Sequence, residues 1–159
     1  MTLGKYFSFQ KISCELAQDG DISDAVELIN HAFEYQDKAK GDKRITAEKL
    51  ADRMRTSDAY VFKDKESNIV GAVYCETDTF KIHFGLLAVA DSYRGSGLAK
   101  AIMDAIEKYA LDHKIKELEL DYMSIAPWLK KYYEKYGFVE TGEREDIGYS
   151  LLIRMRKQL

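Results

Sequence analysis

The sequence is poor in residues that staple a chain or ligate a metal. It has two cysteines among 159 residues. Cys14 and Cys75 lie far apart, each in a strand-like run, so both are expected to be buried thiols of a reducing compartment rather than a disulfide. Three scattered histidines, with no Cys-x-x-Cys or His-x-x-x-His pair, give no support for a metal site. No apolar run approaches the roughly 20 residues that cross a bilayer. The opening MTLGKYFSFQK has neither a long apolar stretch nor a small-residue cleavage site, which predicts a cytoplasmic protein that is not exported. A basic excess is also missing: 24 Lys+Arg stand against 27 Asp+Glu, for a net charge of −3. The nearest thing to a basic stripe, Arg154-Met155-Arg156-Lys157, reads as the solvated face and frayed end of a last strand. Neither nucleic acid nor a membrane is therefore expected as a partner.

What is present is an ordinary globular composition, 46% hydrophobic and 32% charged, at a length that suits one domain with one core. Ile12 to Ala17 reads as a first strand. The spacing of Ile22, Ala25, Val26, Ile29, Ala32 and Phe33 predicts a helix, with Asp21 as its cap and Asp24 in its first turn. Asp37 to Arg44 reads as a charged loop, after which Thr46 caps a second helix with Ala47, Leu50, Ala51 and Met54 inward. Tyr60-Val61-Phe62, Ile69 to Cys75 and Ile82 to Val89 are β-rich runs with short polar connections, which predicts an antiparallel meander. Leu98, Ile102, Ile106 and Tyr109 mark a helix ending near His113-Lys114, and the alternation in Lys116 to Asp121 marks a strand. A right-handed crossover would set that strand parallel to the one at 82–89. Pro127 opens a helix through Tyr136 with Gly137 as its cap, and Phe138-Val139 and Tyr149 to Met155 complete the sheet around a charged turn, TGEREDIG. The expectation is an α/β (α+β) single domain over residues 1–159: a mixed, mostly antiparallel sheet of six or seven strands, with helices on both faces.

The junction SYRGSGLAK, residues 92–100, carries two glycines around a serine behind an arginine, between a strand and a helix. The first N–H groups of a helix point out of its end, where the dipole adds positive charge. Without Cβ atoms on Gly95 and Gly97, a diphosphate can settle on that backbone, and Arg94 adds a full charge. On spacing alone, an ordinary loop explains the stretch equally well. It is not a Walker A loop or a dinucleotide fingerprint, because Lys100 falls in the wrong place for either.

Residues 94–99, Arg-Gly-Ser-Gly-Leu-Ala, resemble the Arg/Gln-x-x-Gly-x-Gly/Ala signature of the GNAT superfamily of acyl-CoA-dependent N-acyltransferases. Leu87-Ala88-Val89 resembles that family's fourth strand, and YYEKYGF at 132–138 resembles its helix-to-strand junction. The element order agrees over nearly the whole chain. The resemblance implies acetyl-CoA as co-substrate and no metal. The pantetheine arm would lie along Leu87, Ala88 and Val89, and the pyrophosphate on Arg94, Gly95, Ser96, Gly97, Leu98 and Ala99. In the family the fourth and fifth strands splay apart to admit the cofactor, and Gly85 reads equally as the bulge that begins the splay or as a packing glycine. The chain departs from the pattern at Ala126, where the family often has asparagine, and in lacking a counterpart of the fourth-strand glutamate base.

Acyl transfer from a thioester needs a neutral amine and a protonated leaving thiol. Tyr133 aligns with the family's general acid. For the base, Glu76 and Asp121 rank first, with His83 behind them. Glu76, Asp78 and Asp121, with Glu143, Glu145 and Asp146, offer negative charge to a cationic amine, opposed by Arg44 and Arg144. The expected activity is N-acetylation of a small-molecule or amino-acid-like primary amine; the alternative is a non-catalytic acyl-CoA sensor. Dimers are common in similar proteins, so a homodimer is compatible with the resemblance.

Overall fold

The computed structural model describes all 159 residues. Seven strands form one sheet in the order β1-β2-β3-β4-β5-β7-β6. They are β1 (Ser13–Leu16), β2 (Asp58–Lys63), β3 (Ile69–Thr77), β4 (Lys81–Val89), β5 (Glu117–Met123), β6 (Val139–Asp146) and β7 (Leu151–Gln158). Only β4 and β5 run parallel; every other pair is antiparallel. The helices are α1 (Ile22–Ala32), α2 (Glu34–Asp37), α3 (Ala47–Thr56), α4 (Leu98–Asp112) and α5 (Trp128–Glu134). The mixed sheet, the single domain and the crossover from β4 through α4 to β5 are as the sequence predicts.

Two apolar clusters sit on opposite faces of the sheet. One packs Leu98, Ile102 and Ile106 of α4 against Ile82 and Phe84 of β4 and Leu118 and Leu120 of β5. The other packs Ala25 and Ile29 of α1 and Leu50 of α3 against Val61, Ala72 and Tyr74. Alternation along each strand sends successive side chains to one cluster or the other. Thr46 caps α3 as expected, its Oγ1 accepting the Lys49 N–H at 3.2 Å. Asp21 does not cap α1; its carboxylate accepts the Gln18 N–H at 2.9 Å and binds Lys63 at 2.9 Å.

Several expectations change. TGEREDIG is mostly strand, because β6 runs to Asp146 and the turn is confined to residues 147–150. β6 is an edge strand with mostly exposed positions, so no apolar alternation marks it. The charged stretch 37–44 is not simply solvated: Asp37 ends α2, is 4% exposed, and is held by Arg44 through contacts of 2.7 to 3.1 Å. Cys75 is buried and free as expected, whereas Cys14 is half-buried. The C-terminal basic run is neither frayed nor merely solvated, since β7 extends to Gln158 and its arginines grip carboxylates of β5.

Candidate active site

β4 and β5 are partnered at Lys81–Glu117, Ile82–Leu118 and His83–Glu119, and no further. Beyond His83 the two strands part while β5 stays paired with β7 up to Met123. The departure coincides with a break on the other edge of β4. Tyr74 pairs with Gly85 and Ala72 with Ala88, so β4 carries an extra residue there. The left-handed residue of this bulge is Leu86, at φ +52°, and not Gly85. A leucine in that region costs about 1–2 kcal/mol, the kind of strain that gathers at functional sites. Ala90 donates its N–H to Val70 O at 2.8 Å, so strand alternation turns Ala88 the same way. Leu87 and Val89 then present their backbone N–H and C=O groups to the gap.

A cleft of about 560 Å³ opens where the strands part, lined by Leu87, Ala88, Val89, Arg94, Leu129 and Tyr133 among others. Phe33, Tyr35 and Trp128 also line it, the Tyr35 and Trp128 rings 5.6 Å apart. Its walls come from both faces of the sheet, because Phe33 and Ala88 belong to one apolar cluster and Leu129 and Tyr133 pack on the other. The structure thus brings together the expected strand segment, Arg94 and Tyr133, which are separated by up to 46 positions.

The loop from Arg94 into α4 continues from this cleft. Gly95 (φ +72°) and Gly97 (φ +94°) both occupy the left-handed region. A Cβ on Gly95 would meet nothing within 4 Å and one on Gly97 only Phe9 Cε2 at 3.7 Å, so backbone conformation is what requires glycine. Ser96 folds back, its N–H reaching Tyr93 O at 3.1 Å and its Oγ accepting the Leu98 N–H at 3.3 Å. The N–H groups of Gly95, Gly97, Ala99 and Lys100 find no acceptor in the chain. Four free donors at the start of a 15-residue helix, beside Arg94, fit an anionic diphosphate. Arg94 is braced by Asp91 at 3.1 Å, and Asp91 also binds His31 at 2.6 Å.

Tyr133 lies on the α4 side of the sheet, its ring edge-on to Phe138, which is edge-on to Phe84. Burial, and secondarily the neighbouring Tyr132, push its phenol well above the usual tyrosine range. No hydrogen bond holds its hydroxyl, and no buried polar side-chain atom goes unsatisfied, so that hydroxyl is not sealed from solvent, and the residue lines the cleft. Ala126, at the family's asparagine position, is fully buried.

Glu76 and Asp121 share a different depression, of about 810 Å³, with His83 and Glu119 on the α1 side of the sheet. Asp121 is engaged by Arg154, Nε to Oδ1 at 3.1 Å and Nη2 to Oδ2 at 3.3 Å. Glu119, 1% exposed, accepts from Lys81 at 3.1 Å and Arg156 at 3.1 Å and meets His83 Nδ1 at 3.0 Å. Burial works against its ionisation, but the hydrogen bonds from His83, Lys81 and Arg156 and the charge of Arg154 outweigh it and hold the carboxyl down to about 2. Sequence reasoning missed Glu119, Arg154 and Arg156. The available signal was the matched alternation of Glu119-x-Asp121 with Arg154-x-Arg156 on one face of two paired strands.

A family model described as an acetyltransferase (GNAT) domain matches residues 29–159. No curated protein matches the sequence. Among solved structures, the fold is similar to the spermidine N-acetyltransferase of Vibrio cholerae in complex with CoA and spermine, with TM-score 0.72 and 18% identity over 93% of this chain and 95% of that one. It is also similar to the ribosomal-protein-S18-alanine N-acetyltransferase of Escherichia coli, with TM-score 0.76 and 14% identity over 92% and 93%. A GNAT family acetyltransferase of Elizabethkingia anophelis with acetyl-CoA bound gives TM-score 0.65 and 16% identity over 95% and 100%.

Proposed function

Since the chain belongs to the GNAT acetyltransferase family, we propose that it is an acetyl-CoA-dependent N-acetyltransferase acting on the primary amine of a small-molecule or amino-acid-like acceptor. The observation that carries this reading is the cleft at the parting of β4 and β5, where Leu87, Val89, Arg94 and Tyr133 converge. Arg94 and the free N–H groups from Gly95 to Lys100 bind the diphosphate, with Ser96 and Leu98 fixing the loop's shape. The gap-facing backbone of Leu87 and Val89 holds the arm, and Ala88 keeps the wall low.

The amine attacks the thioester carbonyl, and the sulfur that leaves has a pKa near that of a free thiol, about 8.5. Tyr133 keeps its proton through the neutral range, because burial disfavours the phenolate, and can give it to the departing sulfur. The acceptor's own proton leaves toward the charged depression holding Glu76 and Asp121. The neighbouring folds bound to CoA and spermine or to acetyl-CoA support the choice of donor and of an amine acceptor.

The test has two stages. Acetyl-CoA should raise the melting temperature, and a panel of amines including spermidine, tyramine, lysine and phosphinothricin should then be screened for thiol release. Tyr133→Phe should lower kcat by about 10²-fold or more while leaving the acetyl-CoA shift intact. An unchanged rate would remove Tyr133 as the acid, and no thermal shift would remove acetyl-CoA as the donor. Binding without turnover of any amine would favour the sensor reading, for which the fully buried Ala126 is the supporting observation.

A further inference from the structure

Residues 31–44 form a closed excursion between the body of α1 and α3. Its neck is tied by Asn30, whose side-chain amide donates to Ile45 O and accepts the Ile45 N–H, each at 2.9 Å. Its body is locked by the Asp37–Arg44 pair, and the Arg44 guanidinium lies 4.2 Å from the centre of the Phe33 ring. α1 packs on β3 and β4, whereas Arg44 Nη2 reaches Met123 Sδ, at the end of β5, at 3.8 Å. The excursion therefore spans the parting of β4 and β5 from one lip to the other, in the manner of an Ω-loop packed by its own side chains.

Tyr35 is carried on this span, and Trp128 opens α5 on the other face of the sheet. Rings held on opposite faces can meet only across the open gap, and their centroids stand 5.6 Å apart. Tyr35 is 70% exposed and Trp128 51%, so neither ring packs in a core. Two large rings left half in water at the rim of an apolar cleft mark a surface that a ligand covers. The same cleft takes in Arg94, from the diphosphate loop, and Tyr133. What joins the diphosphate of an acyl-CoA to its thioester is the pantetheine arm, whose gem-dimethyl group and flat amides suit an aromatic surface. No carboxylate lines the cleft, and its one charge, Arg94, repels an ammonium. Charge complementarity is thus to the cofactor rather than to the amine.

We propose that Tyr35 and Trp128 form an aromatic clasp over the pantetheine arm and are cofactor-binding residues in addition to the backbone of β4 and the diphosphate loop. The inference rests on the proposed function. The Asn30–Ile45 neck and the Asp37–Arg44 lock hold Tyr35 over the gap before the cofactor arrives, so little ordering is left to be done on binding. A cover on the arm acts mainly against its departure, so its loss is felt in koff.

The test uses full-length protein and reads binding without any amine. Trp128 is the only tryptophan of the chain, so its emission reports on the clasp directly. Acetyl-CoA should shift that emission to the blue as the indole loses water, whereas 3′-phospho-ADP, the nucleotide half of coenzyme A without its arm, should leave it in place. By calorimetry, Tyr35→Ala and Trp128→Ala should each raise the Kd for acetyl-CoA about tenfold and leave that for 3′-phospho-ADP unchanged. Tyr35→Phe, which keeps the ring, should keep most of the affinity. Both alanine variants should melt close to the wild type when free, because the rings they remove are exposed. Unchanged acetyl-CoA affinity in both alanine variants, whatever happens to the KM of the amine, would overturn the clasp. An equal loss for 3′-phospho-ADP would also overturn it, since the rings would then act on the nucleotide and not on the arm. A thermal shift with acetyl-CoA but no change in Trp128 emission would refute the clasp and leave the proposed function standing. The absence of both would overturn the proposed function itself.

Discussion

Gly97 allows folding and cofactor binding to be separated by two substitutions at one position. Its φ of +94° lies where an L side chain costs roughly 1–2 kcal/mol. A new Cβ would meet only Phe9 at 3.7 Å, so conformational strain is the whole cost of Gly97→Ala. At this chain length about 1 kcal/mol moves the melting temperature by roughly 2–4 °C, which predicts a loss of roughly 2–8 °C. Gly97→Glu carries the same strain, offset by about 0.3–1 kcal/mol because a carboxylate at a helix N-terminus is favourable. Both variants should therefore fold. They should differ with ligand: acetyl-CoA at a hundred times its Kd stabilises by about 2.7 kcal/mol, a rise of roughly 5–11 °C. The alanine variant should keep most of that rise, and the glutamate variant should lose it, because its carboxylate takes the anion's place among the free N–H groups. Thermal unfolding with and without acetyl-CoA reads both effects. A full ligand-induced shift in Gly97→Glu would place the diphosphate elsewhere and refute the reasoning.

Two further predictions concern buried charge. Glu119 is held down to about 2 in the folded chain against an ordinary 4.5, so its stabilising effect is fully present above pH 4.5 and is lost as pH falls through about 2. Urea unfolding across that window should show the slope, and Glu119→Gln, where it folds, should flatten it. Arg44→Ala leaves Asp37 buried at 4% exposure without its partner and should cost about 3–5 kcal/mol in urea unfolding. Asp37→Ala combined with Arg44→Ala should cost less than the two single changes added together.

The parts of the fold legible in sequence are those where one periodic stripe meets one core. The stripe of α4 from Leu98 to Tyr109 and the hydroxyl of Thr46 act within a few residues of themselves, so local rules found them. The start of β6 was read at Phe138-Val139, but its run to Asp146 was missed because an exposed edge strand has no stripe to read. Glu119 looked like the polar half of an alternating strand; it is buried because Lys81, Arg154 and Arg156 close over it, and those partners lie 35 or more positions away. The same limit explains the bulge. Gly85 is the residue whose chemistry permits a left-handed turn, yet Leu86 adopts it, because the register with β3 sets which residue is extra. In the candidate site, the loop and Tyr133 were visible as motifs, whereas the depression around His83 and Asp121 exists only once β3, β4, β5 and β7 lie side by side.

The parting of two strands also separates the apolar cleft that holds Tyr133 from the charged depression that holds Glu119. A sheet has two faces, and at this point they differ in chemistry: α4 and α5 make one apolar, and the paired charges of β5 and β7 make the other polar. Under the proposed function, a thioester held in the gap would be accessible from both. On the apolar side the phenol of Tyr133 keeps its proton because ionisation there is costly. On the polar side the Glu119 carboxylate is kept ionised by three cationic neighbours and also meets the His83 ring. The strand break after His83 thus lies between a face that keeps the Tyr133 phenol neutral and a face that keeps the Glu119 carboxylate ionised.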